Sequence, residues 1–275
     1  MTPLPISVFI VAQDEEDRIH HTILSVRDWV TEVVVVDSGS SDGTVALAES
    51  LGARVEHRDW DGYGPQKRYA ESLCSCDWRM PLDADEAVSA KLAGLIREAF
   101  AHGDPAPPAY ELPLVLQLPF ARRLPPAPKK YWRIKLYDHR RAQMNPDATP
   151  DDPLDDTVKV REGATARLDG TLVHRSFRSI EHHIAKNNVY TTAQAADLYR
   201  RGRRPGTAEL VCIPMLAFLK AYLLRRECLR GMDGFVVSQL YAVQRFTRLA
   251  KLREAYARER SRAARDAAAS ESASR

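Results

Sequence analysis

The sequence predicts an α/β fold, in which a mostly parallel central sheet is flanked by helices and followed by a C-terminal helical appendage. Residues 6–12 and 33–36 are short, nearly continuous apolar runs. Such runs are typical of strands that are buried on both faces of a parallel sheet. Between these runs, Ile19, Ile23 and Val26 have the spacing of one helix face. The first part of the chain therefore begins as strand, helix, strand.

The alternation of strands and helices continues along the next fifty residues. Residues 44–51 have helical spacing, residues 54–56 form a short third strand, and residues 77–81 form a fourth. Further on, residues 110–118 and 132–137 have strand character. Repetition of this kind is the signature of an open α/β sheet.

Acidic residues stand where three of these strands end. Asp14 follows the first strand, Asp37 ends the second, and Asp83 and Asp85 follow residues 77–81. Because ligands bind at the carboxyl ends of the strands in open α/β sheets, these carboxylates should line one cleft. Carboxylates are hard oxygen ligands that suit Mg²⁺ or Mn²⁺ bound to a diphosphate. The alternative for the last pair is an acidic turn that opens a helix, with Asp85 or Ser89 as its cap.

The acidic segments also resemble motifs of a known protein family. The sequence VDSGSSDGT at residues 36–44 resembles the nucleotide-binding segment of family 2 glycosyltransferases, and DEE at 14–16 is similar to the family's Asn-Glu-Glu element. GYGPQKR at 62–68 and LDADE at 82–86 resemble the branch that contains lipopolysaccharide core sugar transferases. The resemblance is strong over residues 5–90 and looser from about 130 to 235.

That resemblance implies a GT-A fold and an inverting, metal-dependent transfer reaction. The donor implied is a nucleotide-diphosphate hexose, UDP-linked and glucose-like, and the acceptor is a lipopolysaccharide core or another envelope glycan or glycolipid. In this interpretation residues 1–205 form the GT-A domain, and residues 206–260 form C-terminal amphipathic helices. Residues 261–275 are rich in alanine, serine and arginine, and we expect them to be a disordered tail.

Donor and metal contacts follow from the same resemblance. Gln66 and Lys67 begin a predicted helix, where the N-terminus and a lysine favour anions. His174 ends a predicted strand, and imidazole can join carboxylates around a metal ion, although a lone histidine is more often structural. The predicted metal ligands, for Mg²⁺ or Mn²⁺, are Asp83, Asp85 and His174. The predicted donor-binding residues are Ala12, Asp14, Glu16, Asp37, Gln66, Lys67, Asp83 and Ala84.

The candidate catalytic base lies in an acidic segment of the middle region. An inverting transferase needs a carboxylate on the acceptor side to take the proton of the attacking hydroxyl. Relatives show His-Glu at this point, whereas this chain has Asp155-Asp156, so that Asp156 stands where the glutamate would be. We therefore assign the base to Asp156, with Asp155 beside it; the alternative is a solvated acidic loop.

The C-terminal third is basic, with 16 Lys/Arg against 5 Asp/Glu between Arg200 and Arg265. Residues 210–224 are apolar but short for a membrane span, and they contain Pro214 and Lys220. An apolar stripe between Phe235 and Leu252 then lies beside arginines and lysines, a pattern that fits peripheral contact with an anionic membrane surface. The alternative is a helix that packs on the core. Without an evident signal peptide, we expect a cytoplasmic protein at the inner face of the cytoplasmic membrane.

Two other functions fit parts of the pattern. A nucleotidyltransferase uses a similar sheet and acidic metal site, but it carries a basic, glycine-rich loop where residues 13–16 are acidic. A nucleic-acid-binding protein fits the basic C-terminal third, but the interleaved aromatic residues that stack on bases are missing there. We therefore expect no nucleic-acid partner.

Overall fold

A computed structural model describes residues 2–119, 124, 128–148 and 157–273, with side chains described up to residue 262. The chain divides into two compact units. The first comprises Met1–Gln117 and Lys129–Ser176, and the second comprises Leu118–Pro128 and Phe177–Arg275.

The first unit contains the strands and four helices. Its strands are β1 (Leu4–Ala12), β2 (Val30–Asp37), β3 (Arg54–His57), β4 (Trp78–Asp83), β5 (Glu86–Val88), β6 (Ala109–Leu116), β7 (Tyr131–Asp138), β8 (Ala142–Met144), β9 (Val158–Val160), β10 (Ala166–Arg167) and β11 (Leu172–His174). Its helices are α1 (Ile19–Leu24), α2 (Thr44–Ser50), α3 (Tyr63–Ser72) and α4 (Ala90–Ala99).

Most strands belong to one large sheet. Among the described residues, nine strands form this sheet in the order β3-β2-β1-β4-β7-β6-β11-β5, with β10 beside β6. Strand β1 pairs in parallel with β2 and β4, and β2 pairs in parallel with β3. Strand β7 is antiparallel to β4 and β6, and β5 is antiparallel to β11. The prediction of a mostly parallel sheet flanked by helices is therefore confirmed.

Side chains of β1 and β2 are buried on both faces of this sheet. Ile6, Val8 and Ile10 belong to one core cluster, whereas Phe9 and Val34 belong to a second. Neighbouring residues of a strand point to opposite faces, so a strand covered on both sides needs apolar residues at every position. This explains why the runs that predicted β1 and β2 are continuous rather than alternating.

A close approach between α4 and the loop before β11 gives a test of packing in this unit. A Cβ atom on Gly170 would lie 2.5 Å from the Cβ of Leu92 and 2.6 Å from its Cα. Gly170→Ala should therefore lower the free energy of unfolding by about 1–3 kcal/mol, because the backbone must shift. Gly94→Ala, in α4, meets nothing within 4 Å and serves as the control. Urea unfolding compares the two variants, and equal midpoints would contradict the close contact.

Three helices make up the described part of the second unit. They are α5 (Ile180–Arg200), α6 (Thr207–Leu219), which continues as a π-helical turn (Lys220–Leu224), and α7 (Met232–Ala273), which follows a 3₁₀ turn (Glu227–Arg230). Helix α5 packs on α7, with the rings of Tyr199 and Tyr256 4.8 Å apart. This contact explains why the first unit ends at Ser176 and not at the predicted boundary after residue 205.

The C-terminal helix differs from the sequence-based expectation at two points. Helix α7 continues to Ala273, whereas disorder was expected from residue 261, because alanine and arginine have high helix propensities. Within the predicted apolar stripe, Leu249 and Leu252 are buried, while Phe235 and Phe246 are exposed. Part of the stripe is therefore a packing surface, as the alternative interpretation has it.

By length and composition, the described residues contain one helix that could cross a membrane. It comprises Thr207–Leu224, 18 residues with a mean hydropathy of 1.6, of which 11% is buried. The sequence-based interpretation started this run at Leu210 and judged it short, whereas the helix begins three residues earlier.

Candidate active site

The register of the sheet brings the predicted strand ends together. Ala12 pairs with Asp37 across β1 and β2, and Val11 pairs with Asp83 across β1 and β4. Since these three strands are parallel, the segments that follow them lie at one edge of the sheet. The acidic residues expected in one cleft therefore come from adjacent strands.

Asp37 organises the loop that follows β2. Its side chain is buried and accepts hydrogen bonds from the backbone nitrogens of Gly39 and Ser40, both at 2.9 Å, and from Ser40 Oγ at 2.5 Å. Gly39 has φ +88°, a conformation that costs glycine little. The carboxylate assigned to the donor thus also fixes the shape of this loop.

Asp14 and Glu16 join the loop after β1 to the loop after β2. Asp14 Oδ1 accepts a hydrogen bond from the Ser41 nitrogen at 2.8 Å, and Glu16 Oε2 accepts one from the Gly43 nitrogen at 3.0 Å. The Asp14 nitrogen donates to Ser40 Oγ at 2.9 Å. Asp14 has φ 53°, in the left-handed region that aspartate tolerates better than most residues. These carboxylates therefore link two loops at the edge of the sheet.

Three further predicted donor contacts are engaged with the protein itself. The carbonyl oxygen of Ala12 accepts from the Ser38 nitrogen at 2.9 Å, and that of Ala84 accepts from Thr22 Oγ1 at 2.8 Å. Gln66 Nε2 donates to Ser38 Oγ at 3.0 Å and to the Arg58 carbonyl at 2.8 Å. Gln66 Oε1 is buried and has no hydrogen-bond partner within the described part of the chain.

A cluster of carboxylates and lysines lies at the end of β4. Lys67 Nζ is 2.7 Å from Asp83 Oδ1, and Lys135 Nζ is 3.7 Å from Asp83 Oδ2. Lys135 Nζ also lies 2.7 Å from Oε2 of Glu86, whose side chain is fully buried. Lys67 comes from α3, Asp83 from β4, Glu86 from β5 and Lys135 from β7, so four separate elements supply the charges of this cluster.

Mutual attraction sets the protonation of these groups. Burial opposes the ionisation of Asp83, but the Lys135 and Lys67 ammonium groups hold the pKa of this carboxyl below its usual value. Burial also opposes the charge of Lys135, but Asp83 and Glu86 keep its pKa above the usual value. Burial and the charge of Asp83 raise the pKa of Glu86. Asp83 and Lys135 therefore carry full charge at neutral pH.

Asp85 lies on the other side of this turn, between a histidine and an arginine. Asp85 Oδ1 is 3.4 Å from His174 Nε2, and Asp85 Oδ2 is 3.4 Å from Arg18 Nη1. Burial opposes both charges, but their hydrogen bond lowers the pKa of Asp85 and raises the pKa of His174. Arg18 also donates to the Arg175 carbonyl at 3.0 Å and pairs with Glu15. Arg18 therefore connects the segment after β1 with the end of β11.

One group of side chains in the described residues could hold a metal ion. Asp83, Glu86 and His174 each offer one ligand atom, and these atoms lie within 4.8 Å of one another. Two carboxylates and an imidazole are suitable donors for Mg²⁺ or Mn²⁺. Glu86 Oε1 is buried and lacks a hydrogen-bond partner among the described residues, so it can accept a cation. The residues present fit a divalent ion.

This group differs from the predicted ligand set in one member. The structure groups Glu86 with Asp83 and His174, whereas Asp85 contacts His174 and Arg18. Strand β4 ends at Asp83 and β5 begins at Glu86, so Ala84 and Asp85 form the turn between them. The assignment of Asp85 as a ligand stays a prediction.

Sequence reasoning missed Arg18, Glu86 and Lys135. Glu86 stands in the segment LDADE without an assigned role, and Lys135 stands in a predicted strand. A charged residue inside the run WRIKLY, at residues 132–137, was a signal, because a lysine in a buried strand needs a carboxylate partner. Nothing in the sequence around Arg18 marks it.

The candidate bases Asp155 and Asp156 lie outside the described residues, in the segment that connects β8 to β9. The residues that flank this segment are described. The Asn145 nitrogen donates to the Thr157 carbonyl at 2.7 Å, and Arg68 of α3 donates to the carbonyls of Asn145 and Ala148 at 3.0 and 2.8 Å. Both assignments stay predictions.

Comparison with known proteins identifies the family. The family model for glycosyl transferase family 2 matches residues 7–113. An uncharacterized glycosyltransferase from Rickettsia felis is 38% identical over 259 residues, which cover 90% of this chain and 89% of the relative. The chain belongs to glycosyltransferase family 2. This glycosyltransferase therefore matches relatives of its own length over nearly their whole extent.

Two further likenesses complete the comparison. The lipopolysaccharide core biosynthesis glycosyltransferase LpsC from Rhizobium meliloti is 30% identical over 266 residues, covering 92% of this glycosyltransferase and 94% of LpsC. A crystal structure of glucosyl-3-phosphoglycerate synthase from Mycobacterium tuberculosis, in complex with Mn²⁺, UDP and glucosyl-3-phosphoglycerate, is 19% identical. It covers 74% of this chain and 81% of its own, with a TM-score of 0.41, too low to transfer a ligand or an activity.

Proposed function

We propose that this glycosyltransferase moves a hexose from a nucleotide-diphosphate sugar, a UDP-linked glucose or a related sugar, to an envelope glycan such as a lipopolysaccharide core. The reaction proceeds with inversion and depends on Mg²⁺ or Mn²⁺. The observation that carries the proposal is the cluster of Lys67, Asp83, Glu86, Lys135 and His174 at the carboxyl edge of the sheet.

The charges of this cluster suit a leaving diphosphate. Its carboxylates can hold a divalent ion. Lys67 and Lys135 supply two ammonium groups that contact the same carboxylates. When bound, such an ion stabilises the negative charge that grows on the leaving nucleoside diphosphate. Asp83, Glu86 and His174 would hold it. Lys67, on the first turns of α3, is positioned by its ion pair with Asp83 to attract phosphate oxygens.

The loops after β1 and β2 recognise the nucleoside in this proposal. Asp37 and Asp14 hold the segment of Ser40 and Ser41 in one conformation through the hydrogen bonds described above. A rigid loop of this kind binds uracil and ribose with little loss of conformational entropy. Gln66 Oε1, buried among the described residues without a hydrogen-bond donor, can accept one from the donor sugar or nucleoside.

Proton transfer on the acceptor side is assigned to Asp156. The acceptor hydroxyl attacks the anomeric carbon in line with the bond to the diphosphate, that bond breaks, and the hydroxyl proton passes to the carboxylate. Attack from the face opposite the leaving group converts an α-linked donor into a β-linked product.

The relative LpsC, whose name specifies lipopolysaccharide core biosynthesis, supports the proposed acceptor. We propose that this chain acts on a lipid-carried glycan, in the cytoplasm at the inner face of the cytoplasmic membrane. Nucleotide sugars are made in the cytoplasm, so donor and acceptor meet at that surface. Nucleic acid is no partner in this proposal.

Thermal stability in the presence of UDP and Mn²⁺ tests the donor site. At about 100 times the dissociation constant, UDP with Mn²⁺ should raise the Tm by about 5 °C or more. UDP without a divalent ion should raise it less, and Lys67→Met should lose most of the shift. Lys91→Met, a lysine of α4, is the matched control and should keep it.

Two further measurements separate the alternatives. A panel of UDP-glucose, UDP-galactose and GDP-mannose identifies the donor by the rate at which each is hydrolysed to the free nucleoside diphosphate. An increase in Tm with an oligonucleotide, and none with UDP in any metal ion, would instead support the nucleic-acid-binding alternative and contradict the proposal.

A further inference from the structure

Helix α6 and its π-helical turn expose a continuous apolar face, which we name the α6 stripe. Exposure of its large apolar side chains runs from 43% at Leu219 to 78% at Leu224. Its members recur at intervals of one, three and four residues, the spacing of one side of a helix. They are Val211, Cys212, Met215, Leu216, Leu219, Leu223 and Leu224.

The opposite face of the same helix is partly covered by α7. The rings of Phe218 and Tyr222 lie 5.7 and 6.2 Å from that of Phe235 in α7, and Ala221 is buried. The packed face explains how α6 is held in the second unit. The packed face does not explain the α6 stripe. Single exposed leucines are ordinary, but the stripe is a continuous row of apolar side chains that face solvent.

Charges at both ends of the α6 stripe have the same sign. Residues 210–224 contain a single charged residue, Lys220. Residues 200–209 carry four arginines against one glutamate, and residues 225–230 carry three arginines against one glutamate. The side chains of Arg200 and Arg201 are about three-quarters exposed. Such a surface suits an anionic membrane, because the apolar side chains can enter the acyl chains while the basic ends contact the phosphates of the headgroups.

We propose that the α6 stripe inserts into one leaflet of an anionic membrane and lies in the plane of the interface. Helix α7, which the stripe's opposite face contacts, has Asp233 in its first turn and carries Arg245 about three turns later. A transmembrane placement of α6 would carry those charges into the hydrocarbon, where each is costly. An interfacial placement buries the apolar side chains and leaves α7 in water.

The same charges argue against a second copy of this chain as the occupant of the surface. If two α6 stripes packed on each other, basic ends would face basic ends in both the parallel and the antiparallel arrangement. Like charges held close together oppose such pairing. Anionic lipid headgroups instead complement both ends. The proposal concerns only the second unit and does not depend on the identity of the donor or the metal.

Cosedimentation of the full chain with lipid vesicles tests the proposal without any measurement of turnover. Vesicles that contain phosphatidylglycerol should bind the protein at least about tenfold more tightly than neutral phosphatidylcholine vesicles, since each basic residue near the surface contributes about fivefold. Binding should fall between 0.05 and 0.5 M salt, concentrations chosen around the range in which exposed charges become screened.

Paired substitutions distinguish the α6 stripe from the apolar residues of α7. Leu216→Asp with Leu223→Asp should reduce the partition coefficient at least about tenfold, because two inserted side chains are lost. Val243→Asp with Phe246→Asp is the matched control on exposed positions of α7 and should bind like the unsubstituted protein. All four positions are exposed, so folding should be preserved. Equal binding of both double variants, or a loss confined to the α7 pair, would overturn the assignment.

A probe on Cys212 reports the environment of the stripe directly. Burial raises the pKa of Cys74 to about 12, which makes that thiol unreactive, and Cys76 and Cys228 can be replaced by serine. An environment-sensitive fluorophore on Cys212 should shift to shorter wavelength with anionic vesicles. A shift that depends on protein concentration, appears without vesicles and vanishes in Leu216→Asp with Leu223→Asp would assign the surface to self-association and reject the membrane.

Discussion

Asp83→Asn should lower the turnover of glycosyl transfer by roughly 10³-fold or more. Asp83 is the member of the site that contacts both lysines, and it is also one of three potential metal ligands. Asparagine keeps the size of the side chain but removes the negative charge that holds Lys67 and Lys135 in place. Steady-state kinetics with saturating donor and Mn²⁺ measure the effect.

A surface aspartate gives the matched control for this change. Asp169 also pairs with a lysine, Lys130, but its side chain is 65% exposed. Asp169→Asn should therefore leave turnover within about twofold, because exposed ion pairs contribute little. Circular dichroism and Tm establish that both variants are folded. A folded Asp83→Asn protein with nearly normal turnover would contradict the assignment of this site.

Comparison of two neighbouring substitutions decides between the two ligand sets. If Glu86 completes the metal group, Glu86→Gln should weaken the stabilisation by Mn²⁺ and UDP more than Asp85→Asn does. If Asp85 is a ligand, as the sequence predicts, the order should be reversed. The concentration of Mn²⁺ at half-maximal Tm shift is the quantity to compare.

Asp156→Asn should reduce turnover by roughly 10²–10⁴-fold, the usual contribution of a general base. Donor binding should hardly change, because the carboxylate is assigned to the acceptor side. Kinetics with the acceptor varied give the loss of turnover, and the Tm shift with UDP and Mn²⁺ gives the binding.

The adjacent aspartate is the natural comparison for this variant. Asp155→Asn makes the same chemical change one residue away and should cost much less than Asp156→Asn. If Asp156→Asn turns over at the rate of the unsubstituted chain, the base is Asp155, Asp152 or another group. Parallel losses in both variants with unchanged UDP binding would assign the proton transfer to the pair.

The sequence predicts a mostly parallel sheet with acidic residues at its strand ends, because both features depend on local patterns. Continuous apolar runs mark β1 and β2, since most side chains of these strands are buried. Acidic residues directly after a strand are visible in the sequence, and the register that places Asp37 and Asp83 beside β1 is the ordinary register of parallel strands.

Contacts between distant segments are what the sequence does not predict. Lys135 meets Glu86 because β7 pairs beside β4, and that order of strands differs from their order along the chain. Arg18 reaches the Arg175 carbonyl across 157 positions of sequence. The ligand assignment of Asp85 rests on the spacing Asp-x-Asp, but the turn between β4 and β5 brings Glu86 into the metal group.

A helical pattern in the sequence also does not show whether an apolar face is exposed or packs on another helix. The stripe from Phe235 to Leu252 has the periodicity of an amphipathic helix, which is the same whether the apolar face meets lipid or another helix. Leu249 and Leu252 are buried in α7, on which α5 packs, and the largely exposed apolar surface is on α6.

The pairing of β5 with β11 has a consequence for the biosynthesis of this enzyme. Glu86 lies on a strand whose ladder partner, residues 172–174, is made almost ninety codons later. While the ribosome is translating the intervening message, strand β5 has no edge to join, Asp85 lacks His174, and Arg18 lacks the Arg175 carbonyl. Strands β1, β2 and β4 can pair early in the nascent chain. The candidate active site is completed only after residue 175 has left the exit tunnel. Shortened proteins that end soon after the matched family segment, at residue 113, will therefore lack activity even where their first strands are correctly paired.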